Sequence, residues 1–447
     1  MYFLGVLFVA FGISVSIALH EVGHLIPAKK FGVKVTQYMV GFGPTIWSRS
    51  RGETEYGLKV VPLGGYIRMI GMFPPKPGAD PSILRGSSTG RFSQLMDQAR
   101  EESMEQVTQG DENRVFYKLS APRKLVVMLG GPTMNLVIAV VLLAGIFTLY
   151  GIGEVTARVS AVSQCVQSVP AGGAAPAACS ASDPQSPANV AGIRPGDRII
   201  SLAGQPVSTW EDVRALIRPS GGKAIAVVVQ RDGKALQLNA TPILTDVPRV
   251  DAAGNPVLGP GGKTVTDRVG FMGFSPSAEI VKQPLAALPG LIGGEVAATA
   301  GVVFKIPQKI VGIAQAAFGN GVRDPNGPMS VVGVGRVAGE VANGQLLGVG
   351  GSGSAKFVVL LSLVASLNLA LFVFNLIPLL PLDGGHAAGA LWEGLKRQVA
   401  RVRGRPNPGY VDVAKALPVA YVVSIALIGM SILLIYADVV NPIKLGG

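Results

Sequence analysis

The chain has 447 residues, of which 49% are hydrophobic and 15% are charged. This balance excludes an intrinsically disordered chain and favours a membrane protein with a substantial aqueous part. The net charge of +12 is spread through the loops, without an Arg/Lys-rich block interleaved with aromatic residues. The charge therefore predicts membrane orientation and no nucleic-acid partner.

Long uncharged stretches predict a polytopic α-helical membrane protein with about four transmembrane helices, since a span needs about 20 residues of helix. The stretches cover residues 1–19, 125–153, 357–382 and 416–437. Another apolar region, 284–318, is interrupted by Glu295, Lys305 and Lys309. We predict interfacial helices there, with a fifth span as the alternative.

These stretches divide the chain into membrane and aqueous segments. The transmembrane helices are predicted within 1–25, 124–153, 356–383 and 415–438. Between them lie a first loop at 26–123, a folded domain at 154–243, an extracytoplasmic or interfacial segment at 244–355, and a second loop at 384–414.

Basic residues are distributed unequally among these loops. Lys and Arg outnumber Asp and Glu by 15 to 9 over 26–124 and by 6 to 2 over 384–415, but by only 17 to 13 over 153–356. The positive-inside rule then places the first and second loops in the cytoplasm. It places both termini and the domain at 154–243 outside the cytoplasm.

The first hydrophobic stretch leads into the pentapeptide His20-Glu21-Val22-Gly23-His24, which holds two of the three histidines. Positions i and i+4 of a helix share one face, so His20 and His24 can bind one zinc ion. Glu21 is placed to accept a proton from the attacking water. Ionisable residues at membrane depth are costly and by default functional. The motif predicts hydrolysis of a peptide bond in, or at the edge of, a membrane.

A catalytic zinc site needs a third protein ligand. Asp383 is the first charged residue after the third stretch and directly precedes Gly384 and Gly385, which let the backbone bend close to another element. We predict Asp383 as the third ligand. His386 is the alternative, because D-x-x-H puts both side chains on one helical face. Because glycine has a low helix propensity, the two glycines predict that no regular helix runs from Asp383 to His386.

Residues 187–243 show the signals of a small α+β domain. Thr209 is an N-cap residue before a predicted helix at 210–217, and strands are predicted at 198–202, 224–231 and 235–240. The segment 191–199 matches the signature A-G-[LI]-x-x-G-D-x-I, so 155–243 resembles a bacterial PDZ domain. That resemblance implies a domain that either accepts an extended peptide at a sheet edge or acts as a steric filter.

Cys165 and Cys179 lie in the part predicted to be extracytoplasmic, on either side of a Gly/Ala/Pro-rich stretch at 170–178. An oxidising compartment favours a disulfide between them, worth about 3 kcal/mol. Two free thiols are the alternative.

Four features in chain order resemble the site-2 protease family of intramembrane zinc metalloproteases, in its bacterial PDZ-containing branch. They are H-E-V-G-H, G-P-T-M-N at 131–135, the PDZ-like domain, and N-x-x-P…L-D-G-G-H at 375–386. The resemblance implies Zn²⁺ as cofactor, Asp383 as a ligand, and Asn375 and Pro378 as residues that shape the substrate site. It also implies the bacterial inner membrane as the location.

The first loop contains 41–44 and 56–69, which resemble the membrane-associated β-hairpin of that family. A strand with a free backbone edge can pair with an unwound substrate, whose peptide groups are otherwise shielded in its own helix. We therefore predict that Gly64 and Gly65 contact the substrate. A surface hairpin without a substrate role is the alternative.

The family resemblance implies regulated intramembrane proteolysis of single-pass membrane proteins, such as anti-sigma factors or remnant signal peptides. Two other functions remain at this point. A non-enzymatic membrane scaffold would hold partner termini in its PDZ domain and would not need the metal ligands. A zinc transporter or sensor would have no use for Glu21.

Overall fold

The computed structural model describes residues 1–75, 91–105, 107–166, 179, 183–249, 265–319, 323–324, 327–344 and 352–443. These residues form two compact units, one of Met1–Leu149 with Pro284–Gly447 and one of Tyr150–Gln283. The stretch 170–178 between the two cysteines lies outside the described residues.

The helices and strands follow one another in this order along the chain: α1 (Tyr2–Lys30), β1 (Val35–Arg51), β2 (Thr54–Met69), α2 (Arg91–Glu105), α3 (Ala121–Gly145), β3 (Ile152–Val162), α4 (Pro187–Val190), β4 (Arg198–Leu202), β5 (Gln205–Pro206), α5 (Trp210–Ile217), β6 (Ile225–Arg231), β7 (Lys234–Ala240), β8 (Ile243–Pro248), β9 (Thr266–Phe271), β10 (Phe274–Val281), α6 (Leu288–Phe304), α7 (Ile306–Phe318), α8 (Val331–Asn343), α9 (Gly353–Asn375), α10 (Asp383–Val402) and α11 (Leu417–Val440).

Five helical segments in the described part of the chain are long and apolar enough to cross a membrane: Tyr2–Lys30, Ala121–Tyr150, Leu285–Phe304, Gly353–Asn375 and Val413–Val440. Four of them overlap the uncharged stretches of the sequence, although the fourth of these five segments ends at Asn375, before the end of the stretch 357–382. The segment Leu285–Phe304 falls in the region predicted to be interfacial. The chain is therefore a multi-pass membrane protein by the length and composition of its helices.

Helices α1 and α9 lie side by side and run in the same direction. Near the start of α1, Val9 shares a buried cluster with Leu360 and Val364 of α9. Farther along, the Asn368 amide donates a hydrogen bond of 2.8 Å to the Ser16 hydroxyl. The two helices therefore reach the same end of the unit together.

Helix α3 runs in the opposite direction to α1. Gly23 of α1 and Gly130 of α3 meet backbone to backbone, and a β-carbon on either would overlap the other chain segment. Small residues allow helices in a membrane to approach this closely. The start of α3 thus lies beside the end of α1.

The loop after α1 contains the hairpin β1–β2, which is antiparallel and irregular in register, with several bulges. The base of β1 pairs with the end of β2, from Val35 opposite Met69 to Val40 opposite Gly65. Val35 and Met69 share a buried cluster with Ala28 of α1 and Val127 of α3, which anchors the hairpin to both helices.

The second unit is an antiparallel sheet of order β10-β3-β4-β6-β7, with β5 paired to β4, and a separate hairpin β8–β9. The predicted helix and strand at 210–217 and 198–202 are present as α5 and β4. Because β10 belongs to the sheet, the compact unit extends beyond the predicted boundary of 154–243. Cys165 and Cys179 form a disulfide in this unit.

Thr209 caps α5 as its sequence position predicts. Its hydroxyl accepts a hydrogen bond from the Asp212 backbone, and the Asp212 carboxylate accepts hydrogen bonds from the backbone N–H groups of Thr209 and Ser208. These hydrogen bonds, led by that from Thr209, lower the pKa of Asp212 to about 2. The reciprocal bonds satisfy donors that the helix itself leaves unpaired.

Candidate metal centre

The three predicted metal ligands come together from two helices, α1 and α10. His20 and His24 lie in the second half of α1, and Asp383 is the first residue of α10, reached through the turn that follows α9. Their ligating atoms form a triangle: His20 Nε2 to His24 Nε2 is 3.2 Å, and each Nε2 is 3.3 Å from Asp383 Oδ2.

This triangle fits a zinc ion. Zinc binds imidazole nitrogen and carboxylate oxygen at about 2.0–2.1 Å, so two ligand atoms of a tetrahedral site lie about 3.3 Å apart. The three side chains can form one face of such a tetrahedron and leave the fourth position for water or substrate. Within the described residues these three are the group of His, Cys, Asp or Glu that could hold a metal ion.

Helix α3 forms the floor of the centre at Gly131. A β-carbon added to Gly131 would overlap His24 Nε2 and come within 2.7 Å of His20 Nε2. Any side chain at this position would therefore occupy the space between the two imidazoles. The requirement for glycine gives a physical meaning to the first residue of the G-P-T-M-N motif.

The same face of α3 contacts the second nitrogen of each imidazole. The carbonyl of Val127 lies 2.7 Å from His24 Nδ1, and the side-chain amide of Asn135 lies 3.1 Å from His20 Nδ1. Partners of this kind hold the ring orientation of metal-binding histidines. Val127, Gly131 and Asn135 are spaced by four residues, which places them on one face of the helix.

Glu21 lies where α1 meets β2. The backbone of Ile67 lies near the Glu21 carboxyl group. A β-carbon on Gly65 would come 3.0 Å from Glu21 Cγ, so the absence of a side chain allows the strand to run against the glutamate. The structure thus brings the predicted base and the predicted substrate strand into contact.

The remaining predicted substrate residues are Gly64, Asn375 and Pro378. Gly64 has a φ of +149° and packs against the Phe42 ring. Asn375 ends α9 half-buried, and Pro378 is exposed in the turn that follows. In the described part of the chain no hydrogen bond joins Asn375 to the three ligands.

The prediction that Gly384 and Gly385 prevent a regular helix is wrong, because α10 begins at Asp383 and continues through both glycines. A β-carbon at Gly384 would overlap the carbonyl of Ile377. The glycines therefore let the first turn of α10 pack against the preceding turn. Although His386 is on this helix, it packs near the Phe73 ring, 6.3 Å between centroids, and is not in the triangle.

Sequence reasoning missed the contacts of Val127 and Asn135 with the histidines. Asn135 was recognised only as part of a motif, and Val127 only as an apolar residue of a span. The four-residue spacing with Gly131 was a usable signal, but its meaning depends on which face of α3 meets α1.

Comparison with known proteins identifies the class. The family model for Peptidase family M50 matches residues 8–419. The chain is 33% identical to zinc metalloprotease Rip1 of Mycobacterium tuberculosis over 452 residues, covering 100% of this chain and 99% of that protein. It is 31% identical to zinc metalloprotease Rip1 of Mycolicibacterium smegmatis over 464 residues, with the same coverage. A putative zinc metalloprotease of Brucella suis is 27% identical over 393 residues, covering 86% and 85%.

The chain belongs to Peptidase family M50, the site-2 protease family. It is a zinc metalloprotease of the membrane, with Zn²⁺ as its cofactor, and it acts on membrane proteins as that family does. This assignment favours a peptidase over the scaffold and transporter functions.

Proposed function

We propose that this protein hydrolyses a peptide bond in or near the transmembrane segment of single-pass membrane proteins. His20, His24 and Asp383 are the zinc ligands and Glu21 is the catalytic base. The observation that carries the proposal is the triangle of ligand atoms, with edges of 3.2–3.3 Å, that His20 and His24 of the apolar helix α1 form with Asp383 of α10. Ionisable residues at membrane depth are costly and by default functional. Three such ligands with Glu21 beside them have the composition of a hydrolytic metal site.

The chemistry is divided between the metal and the chain. Bound zinc supplies Lewis acidity, which polarises a carbonyl and makes water a usable nucleophile near neutral pH. Glu21 accepts the proton of the attacking water and passes it to the leaving amine. The imidazoles and Asp383 keep their ligating atoms within one small volume, so the cost of ordering them is met during folding.

The substrate is held extended along β2. Gly65 and Ile67 lie against Glu21, so a peptide paired with this part of the hairpin has its carbonyls close to the metal centre. Backbone pairing compensates the hydrogen bonds that a transmembrane helix loses when it unwinds. Gly64 and Gly65 contact the substrate through their backbone, while Asn375 at the end of α9 and Pro378 in the turn after it shape the substrate site.

The hairpin itself contacts the bilayer. Its far half exposes the large apolar side chains Phe42, Ile46 and Trp47. Exposed apolar clusters of this kind mark interaction sites. A strand held at the membrane surface meets substrate helices where they leave the bilayer.

The clients are anti-sigma factors or remnant signal peptides in regulated intramembrane proteolysis at the bacterial inner membrane. The second unit is a PDZ domain on the extracytoplasmic side, where it excludes intact ectodomains. The sheet order β10-β3-β4-β6-β7 and the capped helix α5 support a PDZ-like fold. Basic residues in the first and second loops support this orientation, with both termini outside.

A cleavage assay with a paired metal measurement tests the proposal. Purified full-length protein is mixed with a single-pass model substrate, and zinc content is measured in the same samples. Asp383→Ala should lose zinc and cleavage, whereas His386→Ala, the matched variant one helical turn away, should retain zinc. If Asp383→Ala keeps full zinc occupancy and His386→Ala loses it, the ligand assignment is wrong.

A further inference from the structure

Asn135 is a buried polar side chain next to a proposed metal ligand. It is 0% exposed within α3, and its amide nitrogen lies 3.1 Å from His20 Nδ1. Its amide oxygen is buried without a hydrogen-bond partner among the described residues. A buried acceptor left unpaired costs about 1–3 kcal/mol, so this orientation of the amide satisfies only half of the group.

Which atom of the Asn135 amide must face His20 Nδ1 depends on which His20 nitrogen carries the proton. A neutral imidazole carries one proton, and the nitrogen that binds a metal must be the one without it. His20 Nε2 faces the ligand triangle, so metal binding requires the proton on Nδ1. Nδ1–H then needs an acceptor, which the amide oxygen supplies after a half-turn of the Asn135 side chain.

The two histidines differ in this respect. His24 Nδ1 faces the carbonyl of Val127, which can only accept a hydrogen bond, so the partner itself selects the metal-binding tautomer. The Asn135 amide can accept from His20 Nδ1–H or donate to a bare Nδ1. In the second case the proton is on Nε2, which lies 3.3 Å from Asp383 Oδ2.

We propose that Asn135 is a positioning residue whose side-chain oxygen accepts the hydrogen bond of His20 Nδ1–H and so presents Nε2 to zinc. This inference rests on His20, His24 and Asp383 being the zinc ligands. It explains why a polar group lies fully buried on the α3 face that also provides Gly131. Before the metal binds, the Asn135 amide nitrogen can instead donate a hydrogen bond to an unprotonated His20 Nδ1, in the opposite amide orientation.

Zinc affinity of the purified full-length protein is the decisive readout, measured by competition with a chelator at one pH. Asn135→Leu keeps a similar volume but removes the acceptor, and we expect its zinc dissociation constant to rise about 10–100-fold. Asn135→Asp supplies only acceptors and should bind zinc at least as tightly as the wild type.

Asn368→Leu is the matched control. Asn368 is also buried at 1% exposure in a transmembrane helix, also has a side-chain oxygen without a partner among the described residues, and bonds to Ser16, which is not a ligand. The zinc affinity of Asn368→Leu should stay within about threefold of the wild-type value, a much smaller change than that expected when His20 loses its hydrogen-bond acceptor. Thermal melting of each variant identifies any that does not fold.

The outcomes separate the inference from the function on which it rests. If Asn135→Leu folds and binds zinc as the wild type does, the inference is wrong. It is also wrong if Asn135→Asp binds ten times more weakly than the wild type, a result that does not depend on the leucine variant folding. If His24→Ala, measured in parallel, keeps the wild-type affinity, then the ligand set itself has failed.

Discussion

At the scale of single residues, the centre combines side chains that bind the metal with a position that must have none. Gly131 lies so close to both imidazoles that one added methyl group competes with the ion for space. The protein therefore depends as much on an absent side chain as on the three ligands.

Gly131→Ala should abolish zinc binding and cleavage, because the new β-carbon overlaps His24 Nε2. Gly145→Ala is the control in the same helix, since a β-carbon there meets nothing within 4 Å among the described residues. Bound zinc per protein is the measurement. Equal zinc content in the two variants would contradict the position assigned to Gly131.

The ligands were predictable from sequence, while their supporting contacts were not. The H-E-x-x-H spacing fixes His20 and His24 on one helical face, and Asp383 follows from an isolated charge at the end of a span. Asn135 and Val127 support the histidines through a contact between two helices. Such a contact depends on helix rotation and depth, which apolar composition leaves open.

At the scale of elements, buried polar links fix the mutual positions of the helices. Lys124 at the start of α3 pairs with Glu393 of α10 at 2.7 Å, with 7% and 2% of their side chains exposed. Arg397 and the backbone N–H of Val411 also bind the Glu393 carboxylate. This pair joins the helix that forms the floor of the metal centre to the helix that begins with Asp383.

Glu393→Leu should lower the free energy of unfolding by about 3–5 kcal/mol, because it leaves the Lys124 ammonium buried without its carboxylate. The double variant Lys124→Leu with Glu393→Leu should recover part of the loss. Denaturant unfolding of the purified protein measures both. The contrast is Glu211→Leu in the exposed Glu211–Arg214 pair, where the loss should be about 0–1 kcal/mol. Equal losses from Glu393→Leu and Glu211→Leu would refute a stabilising role for the buried pair.

The elements were predicted unevenly. The helix at 210–217 and the strand at 198–202 follow from a cap residue and alternating apolar residues. The failure at Gly384 and Gly385 has the opposite cause: tertiary packing overrides the low helix propensity of glycine. Similarly, β10 pairs with β3, which lies far from it in the sequence. A local sequence pattern does not encode such a pairing.

At the scale of the whole molecule, the direction of the helices limits the topology. Helices α1 and α9 both run towards the metal centre, and α3 runs away from it. The chain between the end of α3 and the start of α9 therefore leaves and returns at one side of the membrane. A single crossing by α6 is incompatible with this arrangement, so we propose that α6 and α7 together complete no net crossing.

Cysteine labelling in intact cells tests this topology. A reagent that cannot cross the membrane should label Lys234→Cys in the second unit and Ser354→Cys at the start of α9. It should not label Asn407→Cys after α10. The wild type, in which both cysteines form the disulfide, gives the background level of labelling. Labelling of Asn407→Cys together with protection of Ser354→Cys would invert the proposed orientation.

Removal of the second unit tests its role as a filter. Replacing Tyr150–Gln283 by a flexible linker should leave zinc binding intact, because none of the proposed ligands lies in that unit. Substrates that carry an intact ectodomain should then be cut without prior trimming. If cleavage of trimmed substrates is lost while zinc is retained, the domain recruits substrates and does not filter them.

The central claim, that Glu21 carries out proton transfer at a zinc centre within the membrane helices, is tested most directly by Glu21→Gln. This variant keeps the size of the side chain and all three proposed ligands but removes the proton acceptor. Zinc content and cleavage of a model transmembrane substrate are measured on the same purified sample. We expect near wild-type zinc and no detectable cleavage; zinc-loaded Glu21→Gln that cleaves at an appreciable rate would contradict the role assigned to Glu21.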